Sequence, residues 1–243
     1  MTELALVVGG SGGIGREICL RLADDGFEVV VGYASRRERA NEVVAAMGGA
    51  PHRALQVDVT DPAMLKMVAD ELGGPLEVLV NCGGVTRPVP HDNLEELDDE
   101  LIEHIFRINW RGPFATIRAV RALLEQAQSP VVINISSVAG VTGVGSNVAY
   151  CASKAALDSM TRSLGRALAP KIRVVSVSPG WVEGEYAATL PPGALDAQRA
   201  AAPLRALATG ADVAAAVSAV VNHLPLTTGA IIPVDGGRPL GVT

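Results

Sequence analysis

Aromatic side chains are nearly absent from this chain: two Trp, three Tyr and three Phe in 243 residues. An excess of cations is absent too, since 20 Lys and Arg face 26 Asp and Glu for a net charge of −6. Without a positive footprint for phosphates or a stacking platform for bases, nucleic-acid binding is excluded as a function class. Cysteine is scarce and odd in number, at three, which argues against a disulfide framework and for a reducing compartment. No apolar run approaches the ~18 residues of a membrane-spanning helix, and the run after Met1-Thr2-Glu3 stops at Gly9 with no basic lead-in. A soluble, cytoplasmic protein without a membrane partner is therefore expected. His52, His91, His104 and His223 show no ligand spacing, so no metal is expected. The length fits one domain over residues 1–243, burying roughly 70–75% of the unfolded chain's surface without a staple.

What the chain has is glycine and short β-branched runs. Near-continuous apolar stretches at 4–8, 28–33, 54–58, 76–81, 131–136, 172–178 and 230–234 read as strands covered on both faces. Stretches of helical period lie between them at 14–25, 36–47, 62–72, 98–127, 150–169 and 211–224. This alternation predicts an α/β fold with a doubly wound, mostly parallel seven-stranded sheet and helices on both faces. Residues 180–209 lack a clear period, and an excursion of that length in a compact domain predicts a substrate lid.

Five of the 26 glycines fall between Gly9 and Gly15. Gly9, Gly13 and Gly15 stand as G-x-x-x-G-x-G between the first strand and the first helix. A sharp strand-to-helix turn needs residues without Cβ, and a pyrophosphate can approach a helix N-terminus only where side chains are missing. The end of the second strand, Val31-Gly32-Tyr33-Ala34-Ser35-Arg36-Arg37, lacks the Asp or Glu that would bind ribose hydroxyls. Ser35 and Arg36 instead offer a hydroxyl and a cation to a 2′-phosphate. NADP(H) is favoured on that ground and NAD(H) stays open.

Tyr150 and Lys154 are four residues apart, which places them on one helix face. There the ammonium can lower the phenol from its reference pKa of about 10 toward neutrality, as a general acid requires. Lys154 is one of three lysines against seventeen arginines, and a compact ammonium suits ribose hydroxyls and a phenolate better than a guanidinium fork. Ser137 follows the fifth strand at the carboxyl edge where ligands collect, and its hydroxyl could donate to a carbonyl oxygen.

These motifs together resemble the short-chain dehydrogenase/reductase family from Leu4 to Gly237. The glycine loop is similar to the family's cofactor loop, with Val8 where Thr is usual. Asp58, in Asp58-Val59-Thr60-Asp61, matches its adenine-binding acid. Asn81-Cys82-Gly83-Gly84 resembles its N-N-A-G stretch with Cys for the second Asn. Asn109, Ser137, Tyr150 and Lys154 match its catalytic tetrad in order. Pro179-Gly180-Trp181-Val182 resembles the segment at the nicotinamide, with Gly184 for a frequent Thr.

The resemblance implies a Rossmann-type fold and cofactor contacts from Gly9, Ser11, Gly13, Ile14, Gly15, Ser35, Arg36, Asp58, Val59, Asn81, Gly83, Tyr150, Lys154, Pro179, Gly180 and Val182. It also implies a homotetramer or homodimer built on the helices at 98–127 and 150–169 and on the last strand. Within the family the pattern is most similar to 3-oxoacyl-thioester reductases, including the acyl-carrier-protein type. The implied function is NADP(H)-dependent reduction of a carbonyl, with Tyr150 as proton donor, Ser137 orienting the carbonyl, Lys154 holding ribose and phenol, and the Asn109 carbonyl holding a relay water. A dehydrogenase of a small alcohol, sugar or steroid is the alternative. A non-catalytic cofactor sensor or scaffold is a further one, although members that become so typically lose the Tyr or Lys kept here.

Two local expectations complete the reading. Pro113 has no N–H, so the Asn109 carbonyl four residues earlier loses its helical partner and a kink is predicted there. Glu125-Gln126-Ala127-Gln128-Ser129-Pro130 carries no basic residue where a carrier-protein reductase would place one. Lys171 and Arg173 are the only cations near the other expected spot, and Glu183 and Glu185 put negative charge on the lid. Trp181, Tyr186, Leu190 and Leu195 are candidates to line an apolar pocket or to pack the lid.

Overall fold

Val- and Ile-rich runs with no polar alternation suit strands buried on both faces, and each one forms a strand. The computed structural model describes residues 2–49, 51–184 and 193–241. Strands β1 (Leu4–Val8), β2 (Glu28–Tyr33), β3 (Arg53–Gln56), β4 (Val78–Asn81), β5 (Val131–Ile135), β6 (Arg173–Pro179) and β7 (Ile231–Val234) make one sheet in the order 3-2-1-4-5-6-7. Every pairing between them is parallel, so the sheet is wholly rather than mostly parallel.

The helices among the described residues are α1 (Gly13–Asp24), α2 (Arg37–Ala46), α3 (Pro62–Leu72), α4 (Asp99–Phe106), α5 (Gly112–Leu124), α6 (Ala139–Thr142), α7 (Val148–Ala167), α8 (Ala194–Ala201) and α9 (Gly210–Asn222). Alternate residues of each strand feed two separate cores. Ala5 and Val7 of β1 join Ile18 and Leu22 of α1 and Val213 and Val217 of α9 on one face. Leu4, Leu6 and Val8 join Leu65 of α3, Val120 of α5 and Leu157 of α7 on the other. Each such side chain, fully buried, contributes about 1.5–3 kcal/mol, so the two layers account for a fold without disulfides. All three cysteines are free.

Local signals set several helix ends. Asp61 accepts from the N–H groups of Ala63 and Met64, and Pro62 occupies the first turn of α3. Thr209 and Asp212 form a reciprocal capping box at α9. The strand order reverses between β1 and β4, which opens a crevice at their carboxyl ends, the place where open α/β sheets bind ligands.

Three expectations need correction. The helix predicted over 98–127 is interrupted, because Arg107–Arg111 winds as a π-helix between α4 and α5. The Gly112 N–H donates five residues back, to the Arg107 carbonyl. The missing N–H of Pro113 is thus absorbed by a local widening of the helix rather than by a simple kink. The aperiodic stretch at 180–209 is not featureless, since it contains α8 and a parallel bridge between Val182 and Ala208. Finally, α7 begins at Val148, two residues earlier than predicted, because Asn147 caps it. Glu185, Tyr186 and Leu190 lie outside the described residues. No described helix is long and apolar enough to cross a membrane.

Candidate active site

The carboxyl ends of β4, β5 and β6 and the start of α7 enclose a cavity of about 370 Å³. Of the residues singled out in the sequence, Ile14, Ser137, Tyr150, Lys154, Pro179, Gly180 and Val182 line it, together with Trp181. The remaining candidates lie along the crevice, toward β1, β2 and β3, or behind the cavity wall.

The glycine loop is shaped by contact on one side and by bareness on the other. Gly9 takes a φ of +79°, and a Cβ there would stand 2.7 Å from the Gly83 nitrogen. A Cβ on Gly15 would stand 2.2 Å from the Gly9 carbonyl oxygen. Nothing lies within 4 Å of where a Cβ on Gly13 would sit. Helix α1 starts there with no side-chain cap and no acidic residue in its first turn. Its free N–H groups and positive dipole end therefore face open space, which fits an anionic diphosphate.

Farther along, Ser35 and Arg36 are exposed just beyond β2. The Asp58 carboxylate accepts from the Thr60 N–H (2.8 Å) and hydroxyl (2.7 Å), which fixes its orientation. Val59 packs so tightly on α5 that a Cβ on Gly112 would come 2.6 Å from it. Asn81 is anchored within the fold. Its side chain is buried and donates to Asn134 (2.9 Å), which in turn donates to Thr161 (2.9 Å), beneath α7.

Tyr150 and Lys154 do share one face of α7, and the ammonium lies 5.7 Å from the phenol ring centroid. Lys154 is 5% exposed and donates to the Ile135 carbonyl at 2.9 Å. Burial pulls its pKa down to about 8, and Asp158 offsets only part of this. Burial likewise pushes the Tyr150 phenol up, and the nearby Ser137 hydroxyl offsets only part of this. The expectation that Lys154 lowers the phenol toward neutrality is therefore not met. The ammonium is turned to the end of β5, and Ser137 is the group that favours the phenolate. Burial also pushes the Cys82 thiol up to about 12, so this cavity residue is a neutral wall rather than a nucleophile.

Asn109 sits in the π-helical turn, 1% exposed. Its Oδ1 accepts from the Val85 N–H (2.8 Å), and its Nδ2 donates to the Val85 carbonyl (3.0 Å) and to the Ser153 hydroxyl (3.2 Å). The side chain thus holds the loop after β4, a role the sequence did not show. Asn147, Ser153, Thr86 and Ser146 were also missed. The signal for Asn147 was available, since Asn directly before a helical run is a strong cap. The hydroxyl residues carry no such signal.

The charges near the mouth are also rearranged. Glu183 does not stand free, because Arg199 of α8 donates to it at 2.7 Å. Arg173 is committed inward, donating to the Val220 (3.2 Å) and Leu224 (3.1 Å) carbonyls at the end of α9.

Comparison with known proteins follows the same lines. A family model described as enoyl-(acyl carrier protein) reductase matches residues 9–238. A Streptomyces violaceoruber protein named as ketoacyl reductase 2 of the granaticin polyketide synthase is 35% identical over 242 residues, covering 98% of this chain and 96% of that one. A Staphylococcus aureus 3-oxoacyl-(acyl-carrier-protein) reductase is 34% identical over 246 residues, covering 98% of both. A Burkholderia xenovorans crystal structure assigned as a short-chain dehydrogenase/reductase superposes with a TM-score of 0.91 at 33% identity, over 99% of both chains.

Proposed function

The chain belongs to the short-chain dehydrogenase/reductase family, and from that premise we propose that it reduces the carbonyl of a 3-oxoacyl thioester to a secondary alcohol with NADP(H). The reading is carried by one observation: the Ser137 and Tyr150 side chains line the same cavity, with Lys154 one helical turn from Tyr150. Two O–H groups beside each other can hold one carbonyl oxygen and protonate it as it becomes an alkoxide.

The bare N-terminus of α1 with Gly13, the exposed Ser35 and Arg36, Asp58 and Val59, and the wall of Ile14, Pro179, Gly180 and Val182 are the residues that would hold a nicotinamide dinucleotide. When bound, that group supplies the hydride. Tyr150 gives its proton to the substrate oxygen, and a phenol whose pKa is raised by burial stays protonated for this at neutral pH. Ser137 donates to the same oxygen and fixes its place. Lys154, its ammonium 5.7 Å from the phenol ring centroid, would hold the cofactor's ribose beside Tyr150. The pi-helical turn leaves the Asn109 carbonyl without its i+4 partner because Pro113 has no N–H, and this acceptor holds the relay water. The domain is single, the stretch 180–209, of which 185–192 lie outside the described residues, acts as the lid, the protein is cytoplasmic, and copies associate as a homotetramer or homodimer through α5, α7 and β7.

A small uncharged ketone is a second reading, and the charge around the mouth favours it over a carrier-bound substrate. Residues 92–103 carry seven carboxylates, and Arg87, beside the cavity residue Thr86, faces two of them at 3.7 and 3.9 Å. With Arg173 turned inward, an acidic carrier would meet repulsion here.

Titration with NADPH and NADH, followed by acetoacetyl-CoA, simple ketones and crotonyl-CoA with the better cofactor, tests the proposal. NADPH is expected to bind more tightly, with Arg36→Ala erasing the preference, and acetoacetyl-CoA to be reduced. Tighter NADH binding overturns the cofactor assignment. Reduction of crotonyl-CoA alone overturns the carbonyl assignment.

The glycine loop adds a further expected result. Gly13→Ala should melt near the wild-type temperature yet weaken cofactor binding at least tenfold, because its methyl enters only the space the phosphates need. Gly15→Ala should lower the melting temperature itself, since backbone must move to admit the methyl. Calorimetry with and without NADPH separates the two.

A further inference from the structure

We infer that Asn147 is a positioning residue for catalysis, its buried carboxamide fastening the cavity wall at residues 86–87 to the helical turn that carries Tyr150. This deepens the proposed function and rests on its assignment of Tyr150 as the proton donor.

Asn147 is fully buried, at 0% exposed. Its Oδ1 accepts from the Tyr150 N–H at 2.7 Å, and its Nδ2 donates to the Thr86 hydroxyl at 3.2 Å and to the Arg87 carbonyl at 2.8 Å. The reversed amide would set an NH₂ against an N–H and an oxygen against a carbonyl, so only one orientation satisfies the site. Capping a helix requires an acceptor alone, which Ser, Thr or Asp supplies equally well. The two donors are what the amide adds, and both go to the segment after β4.

The other end of the Tyr150 peptide unit is tied to that same segment. The Tyr150 carbonyl accepts from the Ser153 hydroxyl at 2.8 Å, Ser153 accepts from Asn109, and Asn109 holds both the N–H and the carbonyl of Val85. Two buried carboxamides therefore close a circuit from both ends of the Tyr150 backbone to residues 85–87. Thr86 also hydrogen-bonds Ser146, and the Val89 N–H donates to the Ser146 carbonyl at 2.8 Å. Val85, Thr86, Ser146 and Tyr150 all line the cavity. The circuit thus sets how far the phenol stands from the opposite wall, and with it where a substrate carbonyl can sit.

The test uses Asn147→Ser, which keeps the cap and loses both donors, with Thr86→Val and the double variant. With acetoacetyl-CoA and NADPH, kcat of Asn147→Ser is expected to fall about tenfold to a hundredfold, the scale of a small misplacement of reacting groups. NADPH affinity should stay close to wild type, while the melting temperature falls by a few degrees because the Arg87 carbonyl loses its buried donor. Thr86→Val should lower kcat by less, and the double variant should lose less than the product of the two, because the Asn147–Thr86 link is removed in both. In alcohol oxidation the alkaline rise of kcat should move to higher pH in Asn147→Ser, as a displaced phenol loses support from Ser137. Amide exchange across residues 84–90 should quicken in Asn147→Ser while that of α7 holds, a readout independent of turnover. A kcat within twofold of wild type, a loss matched by equally weaker NADPH binding, fully multiplicative effects in the double variant, or unchanged exchange each overturns the inference. A wild-type chain that binds NADPH and reduces no carbonyl overturns the proposed function instead, and the exchange measurement then still decides whether the circuit exists.

Discussion

Tyr150→Phe is expected to reduce carbonyl turnover by about a thousandfold while leaving NADPH affinity within a few-fold of wild type. The substitution removes one oxygen from a half-buried ring and leaves the ring itself in place. General acid catalysis by a placed group contributes roughly 10²- to 10⁴-fold, and Ser137 alone can orient a carbonyl but cannot serve as a comparable acid. KM for the carbonyl substrate should change little, because the phenol acts on charge that develops only in the transition state. The pH dependence carries the same information. Burial raises the phenol's pKa, so reduction should persist through neutral pH and fall only at alkaline pH, and this alkaline limb should vanish with the residual activity of Tyr150→Phe. Retention of more than a few per cent of turnover would falsify the assignment of Tyr150.

The fold was legible because its determinants are local. Six of the seven strands lie where β-branched runs occur, β3 with Arg-Ala-Leu-Gln being the exception, and α3 and α9 begin at side-chain caps visible in the sequence. The glycine loop was legible for the same reason, since Gly9 and Gly15 sit where no Cβ fits. The π-helical turn at Arg107–Arg111 was only half legible. Pro113 announced a missing donor, but whether a helix answers by kinking or widening depends on what holds it, and here Asn109 is held by Val85 across 24 residues of sequence. The bond from the Asn81 side chain to Asn134 was not legible, because its register on β4 places it beside Asn134 only once the strands pair. The phenol's pKa was misjudged in direction, because spacing shows that Lys154 is near Tyr150 but not that its ammonium turns to Ile135.

Lys154→Met should abolish turnover and at the same time stabilise the cofactor-free fold. Lys154 titrates at about 8 in the folded chain against 10.5 for an ordinary lysine. Between those values the unfolded chain binds more protons, so wild-type stability rises with pH across this window. The destabilisation is absent above about 10.5, grows as pH falls, and is complete below about 8, where it is on the order of 3 kcal/mol. Methionine fills similar volume without a charge to desolvate and so removes this cost. Two losses offset part of the gain. The Ile135 carbonyl loses its donor, and Asp158, buried one turn further on with neither oxygen in hydrogen-bond geometry, loses a charge that favours its ionised form. The net expectation at pH 7 is a melting temperature a few degrees above wild type, with the difference shrinking toward pH 10. Calorimetry of both proteins from pH 6.5 to 10 measures it. A variant less stable than wild type at pH 7, or a gain that does not shrink at high pH, contradicts the view that this ammonium is held in place at the expense of stability.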